Sequence, residues 1–227
     1  MKIQYTIASP KEKLIETIIY PSLSTISSVD NVIFHGSNKS SLAKVYNTSI
    51  ELARKNEYDA IVFVHDDVII NCSDVSTRVA KFLKEFDVFG LAGTNQITVK
   101  QPVLWHLMSE RNNHLGCVAH THGSQYMYTS FGPVPGRALM VDGVFIAVNL
   151  HKLPSSIKFD ESNPAKFHFY DLMFSLDCSL NKIRVGVGDI PIIHSSPGLR
   201  EMTNEWKQGQ DYFLTKYNKY FNKTLTV

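Results

Sequence analysis

Residues 58–68 read Tyr-Asp-Ala-Ile-Val-Phe-Val-His-Asp-Asp-Val, so five apolar residues lead straight into an imidazole and two carboxylates, His65, Asp66 and Asp67. An unbroken apolar run of this length is the signature of a strand buried on both faces of a parallel sheet. Open α/β sheets bind ligands beyond the carboxyl ends of such strands, and acids placed there suit a hard cation with an anionic substrate. The competing reading is a strand end capped by solvated acids. His194 closes a second apolar run, Ile190-Pro191-Ile192-Ile193, and is followed by Ser195-Ser196-Pro197-Gly198. That turn can bring backbone N–H groups toward a phosphate, against the plainer reading of a hydrogen-bonded surface histidine. Asp142 interrupts the apolar stretch from Ala138 to Val148 and is placed either to face a bound ligand or to pin a loop. Asp171 opens a helical pattern, where the amino end favours its ionised form and hence a proton acceptor; the alternative is a helix cap. His106, His114, His120 and His122 offer no i, i+4 pair on a convincing helix, so no metal is assigned to them.

The elements needed to hold these residues are legible in part. Ile3–Ala8 is a short strand pattern. A helix follows from Ser9-Pro10, with Leu14, Ile15, Ile18 and Ile19 on one face and Pro21 ending it. A strand at 32–34 and the turn His35-Gly36-Ser37-Asn38 come next. Ser40 or Ser41 then caps a helix whose inward stripe is Leu42, Val45, Tyr46, Ser49, Leu52 and Ala53. With the strand at 61–64 this makes β-α-β-α-β, the layout of a doubly wound nucleotide-binding half. Ala8, Ser9, Ser37, Asn38 and Asn47 lie on or near the ends of its first strands, where a nucleoside would lodge and where turn or cap chemistry is the competing role. Val75, Val79, Phe82, Leu83 and Phe86 mark another helix, and 88–92 a strand ending at Gly93. From Thr94 to Gly136 periodicity fails, as expected of a long functional or disordered loop. After Glu205, Trp206, Tyr212, Phe213, Tyr217, Tyr220 and Phe221 alternate with Lys207, Lys216, Lys219 and Lys223. This pattern reads first as a helix docked by its aromatic face with lysines in water; peripheral membrane contact or a lid over a bound ligand are the other options.

Bulk composition excludes several classes. At 227 residues with 44% hydrophobic residues the chain suits one ordered domain, 1–227. Lys and Arg total 23 against 21 acids, a net +2 that is too balanced for a nucleic-acid partner. The three cysteines, Cys72, Cys117 and Cys178, form no zinc-ribbon spacing and no disulfide framework, so a reducing, cytoplasmic setting is expected. The amino end is too short and polar for a signal peptide, and no apolar run reaches the ~18 residues of a transmembrane segment.

Six short motifs occur in an order that resembles GT-A fold glycosyltransferases. They are Phe63-Val64-His65-Asp66-Asp67-Val68, Gly90-Leu91-Ala92-Gly93, Val141-Asp142-Gly143-Val144-Phe145, Phe159-Asp160-Glu161, Phe167-His168-Phe169-Tyr170-Asp171 and Ile193-His194-Ser195-Ser196-Pro197-Gly198. Within that fold the chain resembles more closely the "glycosyltransferase-like" branch allied to family two, which carries Val-His-x-Asp-Val in place of Asp-x-Asp. The resemblance implies an α/β, Rossmann-like single domain with a mostly parallel central sheet and helices on both faces. It divides the chain into a nucleotide-binding half (1–93), an acceptor and metal half (94–204) and a C-terminal helix or lid (205–227). It implies Asp67 as the main metal ligand, His194 as completing the metal or diphosphate site, His65 or Asp66 where the first motif acid usually contacts ribose or metal, and Asp171 as general base; Asp142, by its position between two apolar runs, either faces the donor sugar or pins a loop.

The implied reaction moves a sugar from a nucleotide-diphosphate donor to a hydroxyl of a glycan or lipid-linked glycan, with inversion, in surface polysaccharide assembly. Oxygen donors with an imidazole fit Mn²⁺ or Mg²⁺. Trp105 is placed to stack on an acceptor ring, with core burial as the alternative. Two other reaction classes compete: a metal-dependent phosphohydrolase or nucleotidyltransferase on the same acids, and a non-catalytic nucleotide-sugar-binding module.

Overall fold

In β1 (Ile3–Ala8) the apolar Ile3, Tyr5 and Ile7 alternate with Gln4 and Thr6, and all five are buried, so the strand is covered on both faces. The computed structural model describes residues 1–25, 31–98, 101–123, 125–196, 198, 201–220 and 224–227. Pro197, Phe221 and Lys223, named above, lie outside the described residues, as does the side chain of His122. After β1 the expected amphipathic helix is absent. A 3-10 turn at Leu14–Glu16 precedes α1 (Tyr20–Thr25), Ile15 and Ile18 are 64% and 43% exposed, and only Ile19 is buried. Pro21 begins α1 instead of ending a helix, because in a first turn its missing N–H breaks no bond.

The chain continues through β2 (Asn31–His35), α2 (Leu42–Lys55), β3 (Ala60–Val64), β4 (Val68–Ile70), α3 (Val75–Glu85), β5 (Val88–Gly90), β6 (Ala92–Thr94) and β7 (Gln96–Ile97). Then come β8 (His114–His122), β9 (Gln125–Gly132), β10 (Gly136–Arg137), β11 (Met140–Val141), β12 (Phe145–Asn149), α4 (Tyr170–Leu180), β13 (Val185–Val187), β14 (Ile192–His194), α5 (Asn204–Tyr217) and β15 (Leu225–Thr226). Ser41 caps α2 by accepting from the Lys44 amide at 3.3 Å. The predicted stripe of α2 is buried except for Leu52, whose place is taken by Ile50.

The central sheet runs β10-β13-β5-β12-β3-β1-β2. Five strands share one direction, while β12 lies antiparallel between β3 and β5 and β10 antiparallel on β13. On one face Ile61 and Phe63 join a cluster with Tyr46 of α2 and Phe174 of α4; on the other Val62 and Val64 join Val75 and Val79 of α3. The antiparallel register sets Phe145 opposite Val64, and the His65 amide donates to the Val144 carbonyl at 3.2 Å. The Asp142-Gly143 turn is thereby brought beside the residues that leave β3.

A second sheet, β11-β6-β8-β14-β4 with β9 on the far edge of β8, occupies much of the stretch expected to be irregular. Its β9 exposes Tyr126, Met127 and Tyr128 at 57%, 54% and 69%, and a strand open on both faces leaves no two-residue period to detect. The strand predicted at 88–92 divides at Leu91, sending β5 to the first sheet and β6 to the second. Gly93 sits inside β6, where any Cβ would strike the Met140 carbonyl. The short β13 gave no sequence signal.

The C-terminal aromatics dock as the plainer reading predicted, with Trp206, Phe213 and Tyr217 buried. Lys216 does not face water, however. Its ammonium bridges the carboxylates of Asp160 and Asp177 at 2.9 and 2.8 Å, and the hydroxyls of Tyr212 and Tyr217 donate to the same two acids. Lys216→Met leaves two partly buried acids without their cation and is expected to cost about 1–3 kcal/mol. Urea unfolding measures this, and an unchanged midpoint would show that the network only offsets its own desolvation. No helix among the described residues is long and apolar enough to cross a membrane.

Candidate active site

Pairing of β14 with β4 sets His194 opposite Val68, and the Ser195 amide donates to the Asp67 carbonyl at 2.8 Å. His194 Nε2 then lies 3.3 Å from Asp67 Oδ1, and His65 Nδ1 lies 3.9 Å from the same oxygen. One ligand atom from each of the three residues falls within 4.8 Å of the others. Asp67 Oδ1 and His194 Nε2 are buried and make no hydrogen bond. Two buried polar atoms 3.3 Å apart and left without a hydrogen bond are what a divalent cation would satisfy, and an N, N, O donor set completed by substrate oxygens suits a transition metal such as Mn²⁺ better than the all-oxygen preference of Mg²⁺. Burial, and then the adjacent His194, lower the pKa of His65, which keeps its imidazole neutral and able to ligate. Burial works against the Asp67 carboxylate, but His194 and His65 outweigh it and hold its pKa below the usual value.

Behind these ligands stands a chain of hydrogen bonds. His65 Nε2 is 2.8 Å from the Tyr170 hydroxyl, that hydroxyl is 3.4 Å from the Gly143 carbonyl, and the Gly143 amide donates to Asp171 Oδ2 at 2.7 Å. A neutral His65 with Nδ1 free for a cation must carry its proton on Nε2, so it donates to Tyr170, which in turn donates to Gly143. Phe169, just before α4, takes a left-handed φ of 64°, unusual for a bulky residue, and this bend starts the helix with Tyr170 and Asp171 at the site. A Cβ on Gly143 would collide with the Tyr170 hydroxyl and sit 3.0 Å from Asp171 Oδ2, so only glycine fits between them.

Asp171 departs from the sequence expectation. Its position at a helix amino end was expected to keep it charged, yet burial first and the charge of Asp142 second push its pKa up to about 7, against the backbone N–H groups of Leu172 and Gly143. Desolvation thus outweighs the helix end, and the result suits a base poised near neutrality. Asp142 is itself pinned: Oδ2 accepts from Trp105 Nε1 at 3.1 Å and Oδ1 from the Val144 amide at 3.0 Å.

The other candidates are placed differently. Asp66 turns away from the trio and accepts a short hydrogen bond from the Ser9 hydroxyl. Ala8, Ser9, Ser37 and Asn38 do sit at the ends of β1 and β2, where two loops zip together: Ser9 N donates to His35 O, Asn38 N to Ser9 O and Ser37 N to Lys11 O. Asn38 also bonds Ser40 through both side-chain atoms. The structure does not bring Asn47 to the cluster; buried on α2, it exchanges hydrogen bonds with the Phe159 backbone and donates to Glu161. Tyr170 and Gly143 were missed as participants, and their presence inside two of the six motifs was the one signal available.

Two cavities meet at this site. One of about 560 Å³ is lined by His65, Asp142, Gly143, Tyr170, Asp171 and His194. Its neighbour, of about 860 Å³, shares Trp105, Asp142, His194 and Ser196 with it and extends along β8 and β9.

The profile of a family described as "Glycosyltransferase like family" matches residues 14–226. No curated protein matches the sequence. Among solved structures, the mannosyltransferase PcManGT from Pyrobaculum calidifontis in complex with GDP-Man and Mn²⁺ superposes with a TM-score of 0.56 at 11% identity, covering 100% of this chain and 66% of that one. Glucosyl-3-phosphoglycerate synthase from Mycobacterium tuberculosis, in complex with Mg²⁺ and uridine diphosphate, superposes with a TM-score of 0.55 at 12% identity, covering 95% of this chain and 79% of that one. At such identities the likeness is one of fold.

Proposed function

From the premise that the chain belongs to the glycosyltransferase-like family and has the GT-A fold, we propose that it transfers a sugar from a nucleotide-diphosphate donor to a glycan hydroxyl, with inversion. Asp67, His194 and His65 hold one divalent cation, Mn²⁺ or Mg²⁺. When bound, it supplies Lewis-acid stabilisation of the charge that develops on the departing diphosphate. Asp171 accepts the proton of the acceptor hydroxyl as its oxygen bonds to the anomeric carbon, and the carbon–diphosphate bond breaks on the opposite side. Asp142 and Gly143 hold the turn that keeps Asp171 in place, and the 560 Å³ cavity encloses the reacting groups.

The observation that carries this reading is the convergence of three ligand atoms, two of them buried and without a hydrogen-bond partner, in the fold's ligand-binding crevice. Residues 1–93 take the nucleotide in this scheme, with Ala8, Ser9, Ser37, Asn38 and Asp66 at the strand ends that face it; 94–204 provide the acceptor side, and 205–227 close the domain. The family resemblance supports a setting in surface polysaccharide assembly with a glycan or lipid-linked glycan acceptor. A hydrolase working through two metals needs a second ligand set, and among the described residues one is found. Thermal-shift measurements with nucleotide sugars, each with and without Mn²⁺, test the proposal. Stabilisation that requires both components is expected, and stabilisation by none of them would overturn it.

Tyr170→Phe isolates the second layer of the site. The ring stays in its cluster beside Tyr46 and Phe159, at 5.5 and 6.2 Å, while His65 loses the partner of Nε2. Mn²⁺ affinity is expected to fall about 10–100-fold with little change in thermal midpoint. Calorimetric titration reads the loss; undiminished affinity would mean that packing alone orients His65.

A further inference from the structure

We infer that the 860 Å³ cavity along β8 and β9 is the seat of the acceptor, and that the acceptor is an oligosaccharide whose rings beyond the reacting one lie against this hairpin. The inference rests on the transferase reading and adds to it the size and chemistry of the second substrate. Neither His65 nor Asp171 lines this cavity, so it is not the reaction centre; it adjoins the centre across Asp142 and His194. A chain whose terminal hydroxyl meets Asp171 therefore has this space to continue into. Its volume lies near the upper end of the ~300–1,000 Å³ found for small-molecule sites, which leaves room for more than one ring.

The wall chemistry is that of carbohydrate recognition. Trp105 is a core residue, only 6% exposed, and is held by its indole N–H on Asp142; it backs the more open rings of His106 and Phe131, at centroid distances of 5.4 and 5.1 Å, instead of presenting a face of its own. Those two rings are what the wall offers to the apolar face of a sugar. The side chains of His106 and His120 make no hydrogen bond among the described residues and both line this cavity; burial lowers the pKa of His106, so it presents a neutral imidazole with one donor and one acceptor, a match for vicinal hydroxyls. Among the described residues, full charges on this wall are confined to Arg111 and Asp142, and Asp142 already accepts two hydrogen bonds. Ring contact and neutral hydrogen bonding remain as the means of holding a ligand.

The test uses the full chain and saturation-transfer NMR with one-ring and two-ring p-nitrophenyl glycosides of glucose, galactose, mannose and N-acetylglucosamine. UDP and GDP with Mn²⁺ serve as separate probes of the donor side. At least one two-ring glycoside is expected to bind about tenfold or more tightly than its one-ring counterpart. Thr129→Trp, which fills the cavity from β9, and His106→Ala are each expected to weaken that binding at least tenfold while nucleotide affinity stays within twofold. The inference is overturned if no glycoside binds, if one ring binds as well as two, or if both variants leave binding intact. Glycoside binding with these variant effects, but without affinity for either nucleotide, supports the saccharide site and sinks the transferase reading instead.

Discussion

Asp171→Asn is expected to lower turnover about 10²–10⁴-fold while leaving nucleotide and Mn²⁺ binding intact, and at the same time to raise the thermal midpoint above neutral pH. Loss of turnover follows because the amide cannot take the acceptor's proton, whereas its oxygen can still accept from the Gly143 amide as Asp171 Oδ2 does at 2.7 Å. The gain in stability follows from linkage. Burial and Asp142 raise the folded-state pKa of Asp171 to about 7, above the ordinary carboxylate value it has when unfolded. Between roughly pH 4 and 7 the folded protein therefore binds more protons than the unfolded chain, and stability falls as pH rises through that window. Above it, the parent keeps an ionised carboxylate in a poorly solvated place, a burden the asparagine variant lacks.

In metal-free buffer the variant's midpoint should exceed the parent's by roughly 3–8 °C at pH 8.5, and the two should converge near pH 4. Turnover of the parent should rise with pH up to about 7 and then level off, following ionisation of the base. A cap or purely structural acid predicts the reverse, namely unchanged turnover and a variant that is less stable at every pH. Paired pH series of kinetics and calorimetry separate the two.

Asp67→Asn should have the second large effect, on the cation. It removes the one carboxylate of the trio and leaves only the two imidazoles, so Mn²⁺ affinity is expected to fall about 100-fold or more, with turnover falling alongside. Geometry is conserved by the isosteric amide, and the Ser195 amide still finds the Asp67 backbone carbonyl at 2.8 Å. Nucleotide-dependent stabilisation by Mn²⁺ should vanish in the same variant. Electron paramagnetic resonance of free Mn²⁺ gives the affinity without turnover, and full retention of binding by Asp67→Asn would remove the metal site from consideration. The two variants differ in kind: Asp171→Asn binds everything and turns over little, whereas Asp67→Asn fails earlier, at assembly.

Several elements were legible because a single face or both faces of each are buried by near neighbours. The apolar run into His65 became β3, the stripe of α2 held at five of its six predicted positions, and α3 and α4 began close to where their patterns did. In the β8–β9 hairpin, β9 escaped notice because exposure on both faces erases periodicity, and Pro21 misled because a proline ends one helix and begins another with equal ease. The antiparallel entry of β12 between β3 and β5 carried no local mark either, since strand direction depends on the route of the connection.

By itself the sequence determined which chemical groups were available and on which local elements they sat: an imidazole and acids at the end of a buried strand, a histidine closing another, an acid opening a helix. Only the tertiary structure decided that His194 meets Asp67, that Tyr170 faces His65, and that Asp171 titrates near neutrality. Local elements follow from contacts within a few residues and are written in periodicity. Pair distances and desolvation are sums over segments remote in the chain, set by the register of β4 on β14 and of β12 on β3, and no short stretch of residues contains that information.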